Sequence, residues 1–205
     1  MKNLVELNED EKDCLQELMN IAYGSATAAI SEILDAFATL NIPNIQIIPA
    51  KSLKTYLKEE LKLKNEQYVS TQLLNGSIAG ENLFLMNSQS ATNLAREFDV
   101  PEGEINDNEL FDIVLEITNI LSSATIGRLA QELDTVVSFE PPSIQKIESV
   151  DKLDNNLLNH YEQIIIISTD LSFEDQKIHA EFLLLTKDES IFWLKEALNK
   201  ILDEF

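Results

Sequence analysis

The pattern of this sequence predicts an α+β fold made of two similar halves, in which a shared sheet of about six strands carries two long helices on one face. Two observations predict it. The first is an internal repeat at an offset of 99 residues. Asp13 aligns with Asp112, Glu17 with Glu116, Asn20-Ile21 with Asn119-Ile120 and Leu34-Asp35 with Leu133-Asp134. Pro43 aligns with Pro142 and Ile45-Gln46 with Ile144-Gln145, nine identities over positions 13 to 46. The second is that each half runs through one order of elements, a long helix, then strands, then a closing helix. Residues 1–103 and 104–205 are read as repeats within a single domain, because either alone would expose a sheet edge and half a core.

The elements follow in order. Asn8-Glu9-Asp10-Glu11 is a helix-start signal with an acid three residues beyond the cap, and the first long helix is expected to reach about Ala38. Pro43 closes the gap, and Asn44 to Pro49 reads as a strand. Leu53, Tyr56, Leu57 and Leu61 mark a short amphipathic helix within 52–63. Tyr68–Leu74 and Ser77–Met86 read as strands joined at Asn75-Gly76, a strong hairpin signal. A helix over 89–99 and a loop at Pro101-Glu102-Gly103 end the first half. In the second, a helix runs from about Asp107 to Leu133, a strand follows Pro142, and strands near 162–170 and 177–186 precede a helix over 189–203. Ile164 to Ile167 and Phe182 to Leu185 have the continuous apolar character of buried central strands.

Composition narrows the function. The chain has 205 residues, 44% hydrophobic and 25% charged, an ordinary globular balance. Fifteen basic against 36 acidic residues give a net charge of −21. Nucleic acid and anionic membrane surfaces are therefore poor partners, since both need clustered Lys and Arg. The acidity serves solubility, or steers the chain toward a protein with a basic face. Lys51, Lys54, Lys58, Lys62 and Lys64 form the one basic concentration. A single cysteine, Cys14, an acidic N-terminus and no apolar run near the roughly 20 residues of a membrane span point to the cytoplasm. Cys14 falls on the apolar side of its helix, as a core residue would. His160 and His179 have no companions at metal-ligand spacing.

The repeated polar residues share one face. At about 100° per residue, Asp13, Glu17 and Asn20 fall within a stripe about 60° wide, opposite Cys14, Leu15, Leu18, Met19, Ile21 and Ala22. Gly24, Thr27 and Ser31 continue that stripe. Asp112, Glu116 and Asn119 repeat the geometry, opposite Ile113, Val114, Ile117, Ile120 and Leu121. Ser123 and Ala130 extend this second stripe and Ile126 interrupts it. A solvated helix face would look similar in one copy; two copies with a matched proline 23 residues beyond each Asn point to a site.

Asp-x-x-x-Glu-x-x-Asn followed by 22 residues and Pro resembles the signature of the CheC/CheX/FliY phosphatases. It occurs as Asp13, Glu17, Asn20, Pro43 and as Asp112, Glu116, Asn119, Pro142. Two copies look most like CheC; CheX relatives carry one, and FliY adds a flagellar-switch domain for which no sequence remains here. The chain departs from the family's Gly-Asn-Ile-Gly, reading Met19-Asn20-Ile21-Ala22 and Thr118-Asn119-Ile120-Leu121. The resemblance implies hydrolysis of the aspartyl phosphate on a phosphorylated CheY-type regulator. Asn20 and Asn119 would position the attacking water, and Glu17 and Glu116 would engage a cation on the regulator, with Asp13 and Asp112 supporting docking. No cofactor is expected on this chain; magnesium would be held by the regulator. The alternative is a non-catalytic adaptor that binds the regulator or a CheD-like receptor deamidase. Retention of both Glu-x-x-Asn pairs favours the enzyme, and loss of the flanking glycines favours the adaptor.

Overall fold

The computed structural model describes residues 5–41, 43–63, 65–153, 161–173 and 175–204. In chain order the elements are α1 (Glu9–Leu34), β1 (Thr39–Leu40), β2 (Asn44–Pro49), α2 (Leu53–Glu59), β3 (Gln67–Gly76), β4 (Gly80–Asn87) and α3 (Ser88–Glu97). They continue with α4 (Asp107–Glu132), β5 (Val137–Phe139), β6 (Ser143–Ile147), β7 (Gln163–Phe173), β8 (Ile178–Thr186) and α5 (Asp188–Leu202). Short 3-10 turns, Ala50–Ser52 and Val150–Lys152, follow β2 and β6 at matching places in the repeat.

The long helices start and stop for local reasons. Asn8 accepts a hydrogen bond from the Glu11 amide at 2.8 Å, and the Glu11 carboxylate accepts one from the Asn8 amide at 2.8 Å, a complete capping box. Asn106 caps α4 by accepting from the Asn108 and Glu109 amides. The repeated Leu-Asp pair is the stop. Asp35 and Asp134 both adopt the left-handed conformation, φ 46° and 47°, which Asp tolerates better than most residues. The first helix therefore ends at Leu34, about one turn short of the expected Ala38.

Among the described residues, eight antiparallel strands form one sheet with six lanes. β7, β8, β4 and β3 are the four inner lanes; β1 and β2 share the lane beside β7, and β5 and β6 share the lane beside β3. β1 and β5, two and three residues long, are too short to show a periodic pattern. The pseudo-twofold axis passes between β4 and β8, where Leu83 opposes Leu183. Each repeat lends its edge strand to the other: β2 pairs with β7 and β6 with β3.

The expected turn at Asn75-Gly76 lies elsewhere. These residues remain in β3, opposite Ser138 and Val137 of β5, and the chain reverses at 77–79. Gly76 is required for that pairing. Its φ is 114°, and a Cβ there would lie 2.5 Å from the Val136 carbonyl oxygen. The dipeptide's glycine thus answers to a neighbouring strand, a contact that local turn chemistry does not register.

Alternation sorts the central strands onto two faces. Tyr68, Phe84, Met86, Ile165, Ile167, Phe182 and Leu184 meet the four helices α1, α3, α4 and α5 in the main core. Val69, Leu83, Leu85, Ile164, Ile166, Leu183 and Leu185 turn to the opposite face, under Leu53, Tyr56 and Leu57 of α2. α1 and α4 pack against one another on the main-core face. α4 is long and apolar enough to cross a bilayer by composition, with a mean hydropathy of 1.4 over 18 residues; its apolar residues fill this core. On the far face Lys58 pairs with Asp151 at 2.5 Å and Lys54 donates to the Asp151 carbonyl at 2.9 Å. Lys64 lies outside the described residues.

Candidate functional site

The helical stripe emerges at the surface in both repeats. Asp13, Glu17 and Asn20 are exposed on α1, while Leu15, Leu18, Met19 and Ala22 are buried behind them. Asp112, Glu116 and Asn119 are exposed on α4, backed by Ile113, Val114, Ile117 and Leu121. A partner can therefore approach either triplet without unfolding anything. Some neighbours depart from the helical-wheel expectation. Ile21 is 37% exposed rather than buried, which puts an apolar side chain beside Asn20. Ile126 and Ala130 are buried core residues, so the second stripe ends at Ser123, which is exposed and donates back to the Asn119 carbonyl at 2.7 Å. Two long helices packed side by side cover more of each other than a single wheel shows.

The flanks of the two triplets differ. Beside Asp112, Glu116 and Asn119 lies an open groove of about 520 Å³, whose other wall includes Phe139, Pro141 and Pro142. The motif proline precedes β6 directly, where a residue without an N–H interrupts no ladder. Gln72 on β3 forms the groove's inner contact. It is 1% exposed, and its Nε2 donates to Asn119 Oδ1 at 3.2 Å and to the Glu140 carbonyl at 2.9 Å. In the first repeat Pro43 is buried, and among the described residues the Asn20 side chain makes no hydrogen bond. Sequence reasoning missed Gln72. Its one signal was a polar residue in phase with Tyr68 and Leu74 on the core-facing side of a strand.

Cys14 is half-buried against the main core, and burial raises its thiol pKa, as expected of a packing residue rather than a reactive one. Among the described residues no group of three His, Cys, Asp or Glu is placed to hold a metal; His160 lies outside them. The most shifted carboxyls belong to Glu81 and Glu181, equivalent residues of β4 and β8. Burial pushes each up to about 7, with the Asp170 charge adding to the effect on Glu181. They sit in phase with Leu83 and Leu183 on the face away from the helices, remote from both stripes.

No family model matches the sequence. Over 170 residues, 81% of the chain, it is 22% identical to the flagellar motor switch phosphatase FliY of Bacillus subtilis (strain 168). That match spans 43% of FliY, less than half of its length. Among solved structures, Thermotoga maritima FliY superposes with a TM-score of 0.76 at 19% identity, covering 96% of this chain and 99% of that one. A chain of the FliG–FliM complex from H. pylori gives 0.59 at 14%, covering 90% and 98%. CheX from Desulfovibrio desulfuricans gives 0.52 at 14%, covering 82% and 99%. These structural likenesses bear on the fold alone, which is CheC-like. The doubled motif looks most like CheC, while the relative matched in sequence is FliY. Motif, sequence match and fold agree in their likeness to the CheC/CheX/FliY family.

Proposed function

We propose that this protein is a phosphatase for a phosphorylated CheY-type response regulator. The observation that carries the reading is the exposure of both Glu-x-x-Asn pairs on equivalent helix faces. An aspartyl phosphate is already reactive, and its hydrolysis needs a water held in line with the leaving carboxylate more than it needs a strong base. A carboxamide offers one acceptor and two donors on a rigid plane, enough to hold such a water. Asn20 and Asn119 take that role. Glu17 and Glu116, one turn earlier on the same stripe, accept from a cation on the regulator and set the register, with Asp13 and Asp112 at the edge of the docking surface. Magnesium belongs to the regulator in this scheme, and the cytoplasm is where the two proteins meet.

The test is the decay of a phosphorylated regulator with wild type and with N20A/N119A. Wild type accelerates decay. The double variant returns it to the rate of the regulator alone, a loss on the order of 100-fold or more for each preorganised group removed. Exposed polar-to-Ala changes shift stability by about 0.5 kcal/mol or less, so folding does not confound the result. Equal acceleration by both proteins would place the chemistry elsewhere. A second reading, an adaptor that binds the regulator or a CheD-like deamidase without turnover, draws on the fold shared with a chain of the FliG–FliM complex. It is favoured if wild type binds the phosphorylated regulator and leaves its lifetime unchanged.

A further inference from the structure

We infer that Gln72 is a positioning residue that fixes the orientation of the Asn119 carboxamide, so that the second site is pre-oriented and the first is not. The kinetic consequence rests on the phosphatase reading; the structural one does not.

The Glu140 carbonyl can only accept a hydrogen bond. The Gln72 atom 2.9 Å from it must therefore be Nε2, the donor. The same nitrogen lies 3.2 Å from the Asn119 side chain, so the Asn119 atom facing it must be the oxygen, Oδ1. This settles an amide orientation that geometry alone leaves ambiguous. One lone pair of Oδ1 is used inward. The other lone pair and both Nδ2 hydrogens remain for the groove, on a plane that can no longer turn freely. Gln72 is itself held in place, 1% exposed and opposite Asn82 in the ladder. Its Oε1 is buried with no hydrogen-bond partner among the described residues. That arrangement spends the donor end of the amide on Asn119 and Glu140 and leaves the acceptor end unserved, which stability alone does not call for.

The first repeat lacks this brace. Thr169 opposes Phe182 in β7–β8 as Gln72 opposes Asn82 in β3–β4. Its Oγ1 donates to the Asn41 carbonyl at 2.7 Å, and Asn41 stands 99 positions before Glu140. The conserved contact is thus the one to the loop carbonyl. A threonine has one hydroxyl hydrogen, spent there, and none left for Asn20.

The test uses Q72M, which keeps side-chain length and removes the donors. In the N20A background only the second site acts, and Q72M lowers kcat on the order of 10-fold or more with KM within about twofold. In the N119A background Q72M changes neither. Relaxation of the side-chain amide groups by nitrogen-15 NMR reads the brace directly and needs no turnover. In wild type the Asn119 amide is more ordered than that of Asn20, and Q72M brings it to the same mobility. Equal mobility of the two amides in wild type overturns the inference even if Q72M fails to fold. So does an equal kcat loss in both backgrounds. If wild type itself fails to accelerate decay, the phosphatase reading falls, and the NMR comparison still decides the role of Gln72.

Discussion

Beneath α4 the sheet presents Ser70, Gln72 and Asn82, and the helix turns Thr118, Ser122 and Thr125 toward the interior, all six buried. At the corresponding places of the other repeat stand Ile167, Thr169 and Phe182 on the sheet and Met19, Tyr23 and Ala26 on α1, also buried. α4 therefore meets the sheet through two directional bonds, Asn82 Nδ2 to Ser122 Oγ at 2.9 Å and Gln72 Nε2 to Asn119 Oδ1 at 3.2 Å, and the corresponding places of the first repeat are held mainly by shape. Apolar packing is non-directional and tolerates small rotations of a helix about its axis. Hydrogen bonds fix that rotation, and with it the direction in which outward side chains point. The outer faces of the helices are near copies while their inner faces are not, so two sites with one motif sit on supports of different kinds.

The largest effect is expected at Phe182, fully buried in the main core at the place Asn82 holds in the other repeat. Phe182→Ala should cost about 3–5 kcal/mol in urea unfolding, as large-to-small changes in an apolar bed do. A loss below about 1 kcal/mol would show that these places are not held by shape.

A smaller, opposed pair tests the polar side. Ser122→Ala takes the partner from Asn82 Nδ2, while Asn82 Oδ1 already has none among the described residues. The expected cost is about 1–3 kcal/mol. Its counterpart Tyr23→Phe removes a buried hydroxyl that has no partner among the described residues and should hold or raise stability by up to about 1 kcal/mol. The same unfolding experiment reads both, and equal losses would erase the distinction between the beds.

The last test concerns a feature the halves share. Glu81 and Glu181 have carboxyls raised by burial from 4.5 to about 7. An acid whose folded pKa lies above its unfolded value favours the folded state at low pH. This contribution is complete below about 4.5 and is lost as pH rises through about 7. The urea midpoint should therefore fall between pH 5 and pH 8, and E81Q/E181Q should flatten that fall. An unchanged slope in the double variant would assign the pH dependence to the other charges of this acidic chain.

How much of this was legible in sequence varies with the range of the interaction. The repeat gave the two long helices and their outward stripe, because Asp13, Glu17 and Asn20 obey a local periodicity that burial of the opposite face enforces. Asn8 and Glu11 announced their capping box within four residues. The apolar strands 164–167 and 182–185 were visible by composition. The two- and three-residue strands β1 and β5 and the placement of Asn75-Gly76 were not, since they depend on which distant segment comes alongside.

Sequence by itself determined the doubled Asp-x-x-x-Glu-x-x-Asn face, the family resemblance and the end of the second long helix near Leu133, all consequences of neighbours within a few turns of chain; the earlier stop of the first helix at Leu34 was not read. Only the tertiary structure decided the exchange of edge strands between repeats, the burial of Ile126 and Ala130, and the meeting of Gln72 with Asn119. Gln72 and Asn119 are separated by 47 residues, and the repeat offers no guide to their contact because Thr169 replaces Gln72 in the other half. Such a contact arises from the packing of α4 on β3, a register that no local pattern encodes.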